Sequence, residues 1–229
     1  MLHQIIAEVP RFFGYYNLVF LGQALLATFL LSAAGCGIGF LAGFALAVLR
    51  RAETPLLLPA RLLALLLVEL FRRVPFLVTL MLTFFVFQAL ALNVSLFTVA
   101  LVAVCLIASA FIAEIVRGGL EAVHRNQWDA AAAMNMGYLG TLRLVVVPQA
   151  WRVIIPPAFG FFVLFVKDTA LASQIGVLEL TYAGKVLTNK GFSAALAFGT
   201  VLLLYFALSY PLTRLGGWLE ARLGAARHR

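Results

Sequence analysis

The sequence predicts an all-α integral membrane protein with about five transmembrane helices, and two features of its composition lead to this prediction. Hydrophobic residues occupy 64% of the 229 positions and charged residues only 11%. Soluble domains are about 45–50% apolar and about 25% charged, so this chain has too few charges to cover a surface that faces water. Each helical crossing needs about 20 apolar residues, and the length accommodates roughly five or six of them in a single domain, residues 1–229.

Apolar runs without charged residues locate the crossings. The first is Leu18–Leu49, which contains several glycines of the kind that let helices approach closely in lipid. The run Val74–Ala113 is long enough for two crossings, with a turn at Leu92–Ser95. Leu144–Val166 and Ser193–Thr213 supply the fourth and fifth crossings.

One further segment, Leu56–Phe71, is either a sixth crossing or a lead-in to the helix that follows it. It contains a proline and two charged residues. With five crossings and the N-terminus outside, most basic residues fall inside: Arg50, Arg51, Arg61, Arg117, Arg125, Arg143, Arg152, Arg214, Arg222, Arg227 and Arg229. A sixth crossing would move residues 117–152 outside. The positive-inside rule therefore favours five crossings, a periplasmic N-terminus and a cytoplasmic C-terminus.

The remaining composition excludes several function classes. The net charge is +8, but the basic residues flank apolar runs, which suits orientation in a membrane better than nucleic-acid binding. Cys36 and Cys105 lie inside apolar runs and the three histidines are far apart, so we expect neither a disulfide framework nor a metal site. A membrane enzyme is not expected either, since no histidine lies in a crossing to activate a nucleophile.

A polar loop, residues 118–152, separates the third and fourth crossings and lies on the cytoplasmic side in this topology. The alanine-rich stretch Gln127–Met134 favours a short helix that Asn126 caps. Asn135 or Gly137 is expected to end it, because both residue types tolerate left-handed backbone angles. A helix with such small side chains can dock into a groove on another protein; the alternative is a loop that only links two crossings.

A second short helix is expected to follow in the same loop. Its start is expected near Tyr138 and its end before Pro148, because a proline inside a helix removes a hydrogen bond.

The stretch NQWDAAAAMNMGYLGTLRLVVVPQAWRVIIPP, which starts at Asn126, resembles the EAA loop of ATP-binding-cassette (ABC) importer permeases, and most closely their polar amino-acid branch. The similarity extends to ELFRRVPFLV, ASAFIAEIVRGGLEAV and VKDTALASQIGVLELTYAGKVL, and it covers about Gly22 to Leu215. This resemblance implies the type I ABC importer permease fold, with five crossings. This number of crossings agrees with the five inferred from the distribution of basic residues.

The resemblance also implies a role for the loop as a coupling helix in a cleft of a cytoplasmic ATP-binding subunit. Asp129, Ala130 and Ala131 stand where the family has Glu-Ala-Ala, and the family's glycine falls on Asn135. The residues expected to couple to the ATPase are Trp128, Asp129, Ala130, Ala131, Asn135 and Gly137. No GxxxxGK[ST] motif occurs, so this chain is expected to have no cofactor of its own, with ATP and Mg bound by the partner.

Charged residues in or beside the crossings are candidates for the substrate pathway, because a charge in a membrane is costly. The candidates are Lys167, Asp168, Thr169, Glu69, Arg72 and Phe161. An arginine can hold a carboxylate and an aspartate an ammonium, which suits a zwitterion. Two alternatives remain: Glu69 pairs with Arg72 or Arg73, and Lys167 and Asp168 form a structural pair. Glu114 and Arg117 are expected to pair with each other at i, i+3.

Together these features predict the permease subunit of an ATP-driven importer of polar amino acids, multi-pass in a bacterial inner membrane. The expected partners are ATP-binding subunits, a second permease subunit that is identical or homologous, an external solute-binding protein, the amino acid and membrane lipid, but no nucleic acid. The alternative is a stand-alone transporter or channel that needs no ATPase.

Overall fold

The computed structural model describes residues 2–51 and 54–224, which form helices without a strand in either range. The α-helices are α1 (Leu2–Phe12), α2 (Tyr15–Arg51), α3 (Leu58–Arg73), α4 (Phe76–Ala89), α5 (Leu96–Glu121), α6 (Arg125–Ala133), α7 (Tyr138–Thr141), α8 (Val147–Asp168), α9 (Leu180–Asn189) and α10 (Ala194–Gly224). Shorter elements are the 3-10 helices Pro55–Leu57 and Thr169–Ile175 and the π-helical turn Leu142–Val146.

Among the described residues, four helical stretches are long and apolar enough to cross a membrane: Tyr15–Arg51, Leu96–Glu121, Tyr138–Ile175 and Ala194–Leu223. Helix α4 is a shorter apolar helix. These four stretches and α4 confirm the prediction of about five transmembrane helices. The predicted turn at Leu92–Ser95 lies between α4 and α5.

The ambiguous segment Leu56–Phe71 becomes the separate helix α3, which is not among the candidate spans. Helix α3 ends at Arg73, and Val74 is extended, with φ −91° and ψ 134°. The ring of Pro75 causes this end, because a proline disfavours the helical conformation of the residue before it.

The first of two compact units contains Met1–Gly35, Phe76–Val104 and Val163–Leu212. Its apolar core joins residues of α1, α2, α9 and α10, with Phe12, Leu180 and Leu187 fully buried. A buried polar contact accompanies this core, since Thr28 Oγ1 accepts a hydrogen bond of 3.1 Å from the backbone N–H of Leu180.

The second unit contains Cys36–Pro75, Cys105–Phe162 and Thr213–Arg229. Its core joins the end of α2 to α5 and α8. Gly43 of α2 lies directly against α5, because a Cβ atom added there would stand 2.6 Å from the carbonyl oxygen of Ser109. The predicted close approach of helices at small residues therefore occurs at this glycine.

The polar loop contains both short helices expected from the sequence, but two of their ends differ. Helix α6 begins at Arg125, and the residue that caps it is His124 rather than Asn126. The second short helix, α7, ends at Thr141, but the chain remains helical through Pro148 instead of leaving the helical conformation before it. The π-helical turn leads directly into α8, where Pro148 occupies the first turn, and a first-turn N–H has no partner inside the helix.

Candidate functional site

Helix α6 of the polar loop has a well-defined start and end. The imidazole Nδ1 of His124 accepts a hydrogen bond of 3.3 Å from the backbone N–H of Asn126, which satisfies one of the free donors at the helix start. At the other end Asn135 adopts φ +56°. Gly137 has φ −67°, so the left-handed residue of the turn is Asn135. Asparagine tolerates this conformation better than other residues except glycine.

The two faces of α6 have different surroundings. Ala131 is 1% exposed and Trp128, three residues earlier, is half-buried, so this face packs against the rest of the second unit. Asp129 and Ala130 are exposed, and Met134 is 68% exposed. The exposed face therefore carries small alanine side chains and one acidic side chain, and an apolar methionine follows at the end of the helix.

Trp128 anchors the loop to helix α2. Its ring stacks on Tyr138, with centroids 6.5 Å apart, and the Arg51 guanidinium lies 4.4 Å from the ring centroid. The Tyr138 hydroxyl donates a hydrogen bond of 3.2 Å to the carbonyl oxygen of Val48. These contacts hold α6 through Trp128, while Asp129 remains exposed on the surface of the unit.

A charged network connects α2, α3 and α5 in the second unit. Glu114 accepts a hydrogen bond of 2.8 Å from Nε of Arg117, which confirms the predicted i, i+3 pair. The same carboxylate lies 3.3 Å from Nη1 of Arg72 and 3.4 Å from Nη1 of Arg50. Glu114 is thus the centre of the network, and three helices contribute cations to it.

Glu69 lies at the exposed edge of this network. Arg73 donates hydrogen bonds of 2.8 and 3.1 Å to its carboxylate, and these bonds hold the pKa of Glu69 below its ordinary value. Arg72 lies 4.0 Å from Glu69. The structure therefore brings the candidates Glu69 and Arg72 together, and each has an ionic partner. This agrees with the alternative in which Glu69 pairs with Arg72 or Arg73.

The candidates Lys167 and Asp168 end α8, and Thr169 begins the 3-10 helix that follows it, all in the first unit. Thr169 is fully buried, and its hydroxyl donates a hydrogen bond of 2.8 Å to the carbonyl oxygen of Val166. Lys167 is exposed, and Asp168 is half-buried. Within residues 2–51 and 54–224, no hydrogen bond or ion pair engages the Asp168 carboxylate.

Phe161 belongs to the second unit and is half-buried. Its ring stacks on Phe111, with centroids 5.3 Å apart and planes at 22°. It also packs against the apolar core of that unit. The six pathway candidates are therefore divided between the units: Glu69, Arg72 and Phe161 in the second, and Lys167, Asp168 and Thr169 in the first.

Glu179 is a buried acid that the sequence analysis missed. This residue is fully buried and caps α9 by accepting hydrogen bonds from the backbone N–H groups of Tyr182, at 2.6 Å, and Thr181, at 2.9 Å. The Tyr205 hydroxyl donates a third hydrogen bond of 2.7 Å. Burial raises the pKa of Glu179 above its ordinary value. A glutamate before an apolar helix start is the only sequence signal for it.

Metal binding has no candidate among the residues that the structure describes, since they contain no group of three or more histidine, cysteine, aspartate or glutamate side chains with suitable geometry. Cys36 and Cys105 are both free thiols.

Comparisons with known proteins cover nearly the whole chain. Residues 35–225 match the family model described as "binding-protein-dependent transport system inner membrane component". The probable glutamine ABC transporter permease protein GlnP of Bacillus subtilis (strain 168) is 31% identical over 217 residues, which cover 92% of this chain and 98% of that protein. The glutamine transport system permease protein GlnP of Escherichia coli (strain K12) is 32% identical, covering 83% of this chain and 85% of that protein.

Solved structures give the same result. The crystal structure of an amino acid ABC transporter with histidines contains a chain of the same fold, with TM-score 0.83 and 26% sequence identity. The match covers 95% of this chain and 98% of that chain.

Proposed function

The chain belongs to the family of inner-membrane components of binding-protein-dependent transport systems, and from this premise we propose that it is the permease subunit of an ATP-driven importer of polar amino acids. As a member of that family it is a membrane-embedded transport component rather than an enzyme. The resemblance read from the polar loop is thereby confirmed. The stand-alone transporter or channel, by contrast, has no support among the relatives and structures compared.

The observation that carries the proposal is the exposed face of α6. Trp128 and Ala131 pack against the rest of the second unit, while Asp129 and Ala130 are exposed. We propose that this face docks on a cytoplasmic ATP-binding subunit, which supplies ATP and Mg. Small side chains favour such docking, because a partner's groove can approach the helix backbone closely. Residues 118–152 are the proposed coupling loop within a single permease domain.

Co-purification with the ATP-binding subunit tests this docking. Asp129→Arg combined with Ala130→Glu changes only exposed side chains, so the permease is expected to fold normally while assembly in detergent falls at least tenfold. Glu220→Arg is the matched control, since Glu220 is an exposed acid on α10 outside the loop. Equal assembly of the double variant and the control would refute the proposed docking surface.

The proposed substrate is a polar amino acid. Two relatives are named for glutamine transport, and the unpaired Asp168 carboxylate can accept hydrogen bonds from an ammonium group. A charge-assisted hydrogen bond contributes about 1.5–3 kcal/mol, so Asp168→Asn is expected to lower kcat/KM for uptake about tenfold or more. Glu220→Gln serves as the control. Unchanged uptake by Asp168→Asn would remove this residue from the pathway.

The proposed location is a bacterial inner membrane, with the N-terminus outside and the C-terminus inside. The distribution of lysine and arginine supports this orientation. A second permease subunit, identical or homologous, and an external solute-binding protein complete the proposed assembly. Reporter fusions at the C-terminus and in the loop before α5 test the orientation, because they are expected to report opposite sides of the membrane.

A further inference from the structure

A cavity of about 260 Å³ lies in the second unit between the end of α2, the start of α3 and the end of α5. Among the residues that the structure describes, four arginines and one acidic residue line it. These lining residues are Arg50, Arg51, Arg61, Arg117 and Glu121. Arg51 also contacts Trp128 of the proposed coupling loop, but the proposed coupling and transport roles assign no ligand to this cavity.

Two of the four arginines are neutralised by neighbouring carboxylates. Arg50 lies 3.4 Å from Glu114, and Arg117 binds both Glu114 and Glu121, the latter at 2.5 Å. These ion pairs fix the inner wall of the cavity and leave little net charge there.

Arg51 and Arg61 carry the charge that remains unbalanced. Neither forms an ion pair with a carboxylate in the part of the chain that the structure describes. The ring of Trp128 lies against one face of the Arg51 guanidinium, which fixes the group and leaves its N–H edge free to donate. The cavity therefore presents two cationic groups whose donors suit an anion with several oxygens.

The outer wall of the cavity is apolar and open. Leu58, Leu62 and Leu65 follow each other at i, i+4 and i+7 on α3, and they are 52%, 57% and 42% exposed. Arg61 lies among them in the same helix and also lines the cavity. A small anion dissolved in water would leave these leucines exposed, whereas the acyl chains of a lipid would cover them.

We propose that this cavity binds the headgroup of an anionic phospholipid, with the phosphate on Arg51 and Arg61 and the acyl chains along the leucines of α3. A basic pocket between helices next to an apolar surface has the charge and the position that such a headgroup requires. The net positive charge favours an anionic lipid over a zwitterionic one. The proposal depends on the chain being in a membrane and not on the solute that it transports.

Native mass spectrometry of the full chain in detergent tests the proposal by titration with phosphatidylglycerol. One arginine near a membrane surface contributes about fivefold in lipid affinity, so Arg61→Gln is expected to weaken binding about fivefold and Arg51→Gln with Arg61→Gln about 25-fold. Arg214→Gln is the matched control, because Arg214 is an exposed arginine on α10 that does not line the cavity. It is expected to bind phosphatidylglycerol as the wild type does.

Two further ligands distinguish a lipid site from a site for free anions. Phosphatidylcholine, whose choline cation offsets its phosphate, is expected to bind more weakly than phosphatidylglycerol and to lose less affinity in the arginine variants. Glycerol 3-phosphate is expected not to displace the lipid. Equal phosphatidylglycerol binding by Arg61→Gln and Arg214→Gln would overturn the proposal. Displacement by glycerol 3-phosphate would overturn it in favour of free anions.

The single variant keeps the test decisive even where the double variant folds poorly, because Arg61 has no ion pair with the described residues. The measurement also needs no ATP-binding subunit, so failure of lipid binding and failure of the proposed transport function give different results.

Discussion

Replacing Glu114 by glutamine removes the charge at the centre of the network in the second unit. Its carboxylate lies 2.8 Å from Arg117, 3.3 Å from Arg72 and 3.4 Å from Arg50, and its side chain is only 21% exposed. Hydrogen bonds to charged groups contribute about 1.5–3 kcal/mol each. The glutamine retains one acceptor oxygen and solvent screens part of the charge, so we expect the free energy of unfolding to fall by about 2–4 kcal/mol.

Glu69→Gln is the matched control for this prediction. Glu69 is 40% exposed and its main partner, Arg73, is 79% exposed, so the pair is screened by water. For a chain of this size 1 kcal/mol changes the melting temperature by about 2–4 °C. In detergent, Glu114→Gln is expected to melt roughly 5–15 °C below the wild type, and Glu69→Gln within about 2 °C of it. Equal melting temperatures for the two variants would refute the central position of Glu114.

Three further predictions concern helix packing, a buried acid and the loop. Gly43→Ala places a Cβ atom 2.6 Å from the Ser109 carbonyl oxygen, and it is expected to lower the free energy of unfolding by about 1–3 kcal/mol in a thermal melt. Gly37→Ala is the control: a Cβ atom there meets no atom within 4 Å, so this variant is expected to be neutral or slightly stabilising. Because burial raises the pKa of Glu179, the protonated form of this residue favours the folded state. The melting temperature of the wild type should therefore fall relative to that of Glu179→Gln as the pH rises above 4.5. Parallel curves of melting temperature against pH for the two proteins would contradict this. Asn135→Gly should co-purify with the ATP-binding subunit as the wild type does, whereas Asn135→Val, strained at φ +56°, should assemble less; equal assembly would show that the turn is not needed.

The sequence predicted the crossings because lipid leaves few alternatives: an apolar run must form a helix whose backbone groups bond to each other. The end of α3 before Pro75 and the left-handed turn at Asn135 were also predictable. Both depend on the conformational limits of a single residue, which the sequence shows directly.

The features that the sequence missed depend on distant residues or on unusual residue types. Glu114 could be paired with Arg117 by helical spacing, but its contacts with Arg50 and Arg72 come from other helices. Histidine and glutamate are not preferred capping residues, so their residue types did not identify His124 and Glu179 as helix caps. Capping by these two residues is seen only once the backbone around them is known.

ATP-driven uptake of amino acids is the direct test of the proposed permease function. The permease is reconstituted in proteoliposomes with its ATP-binding subunit and solute-binding protein, and uptake of labelled glutamine and other polar amino acids is measured with and without ATP. We expect uptake to require ATP and to fall at least tenfold when Asp129→Arg and Ala130→Glu are introduced together. Uptake at the same rate without ATP or without the ATP-binding subunit would contradict this expectation.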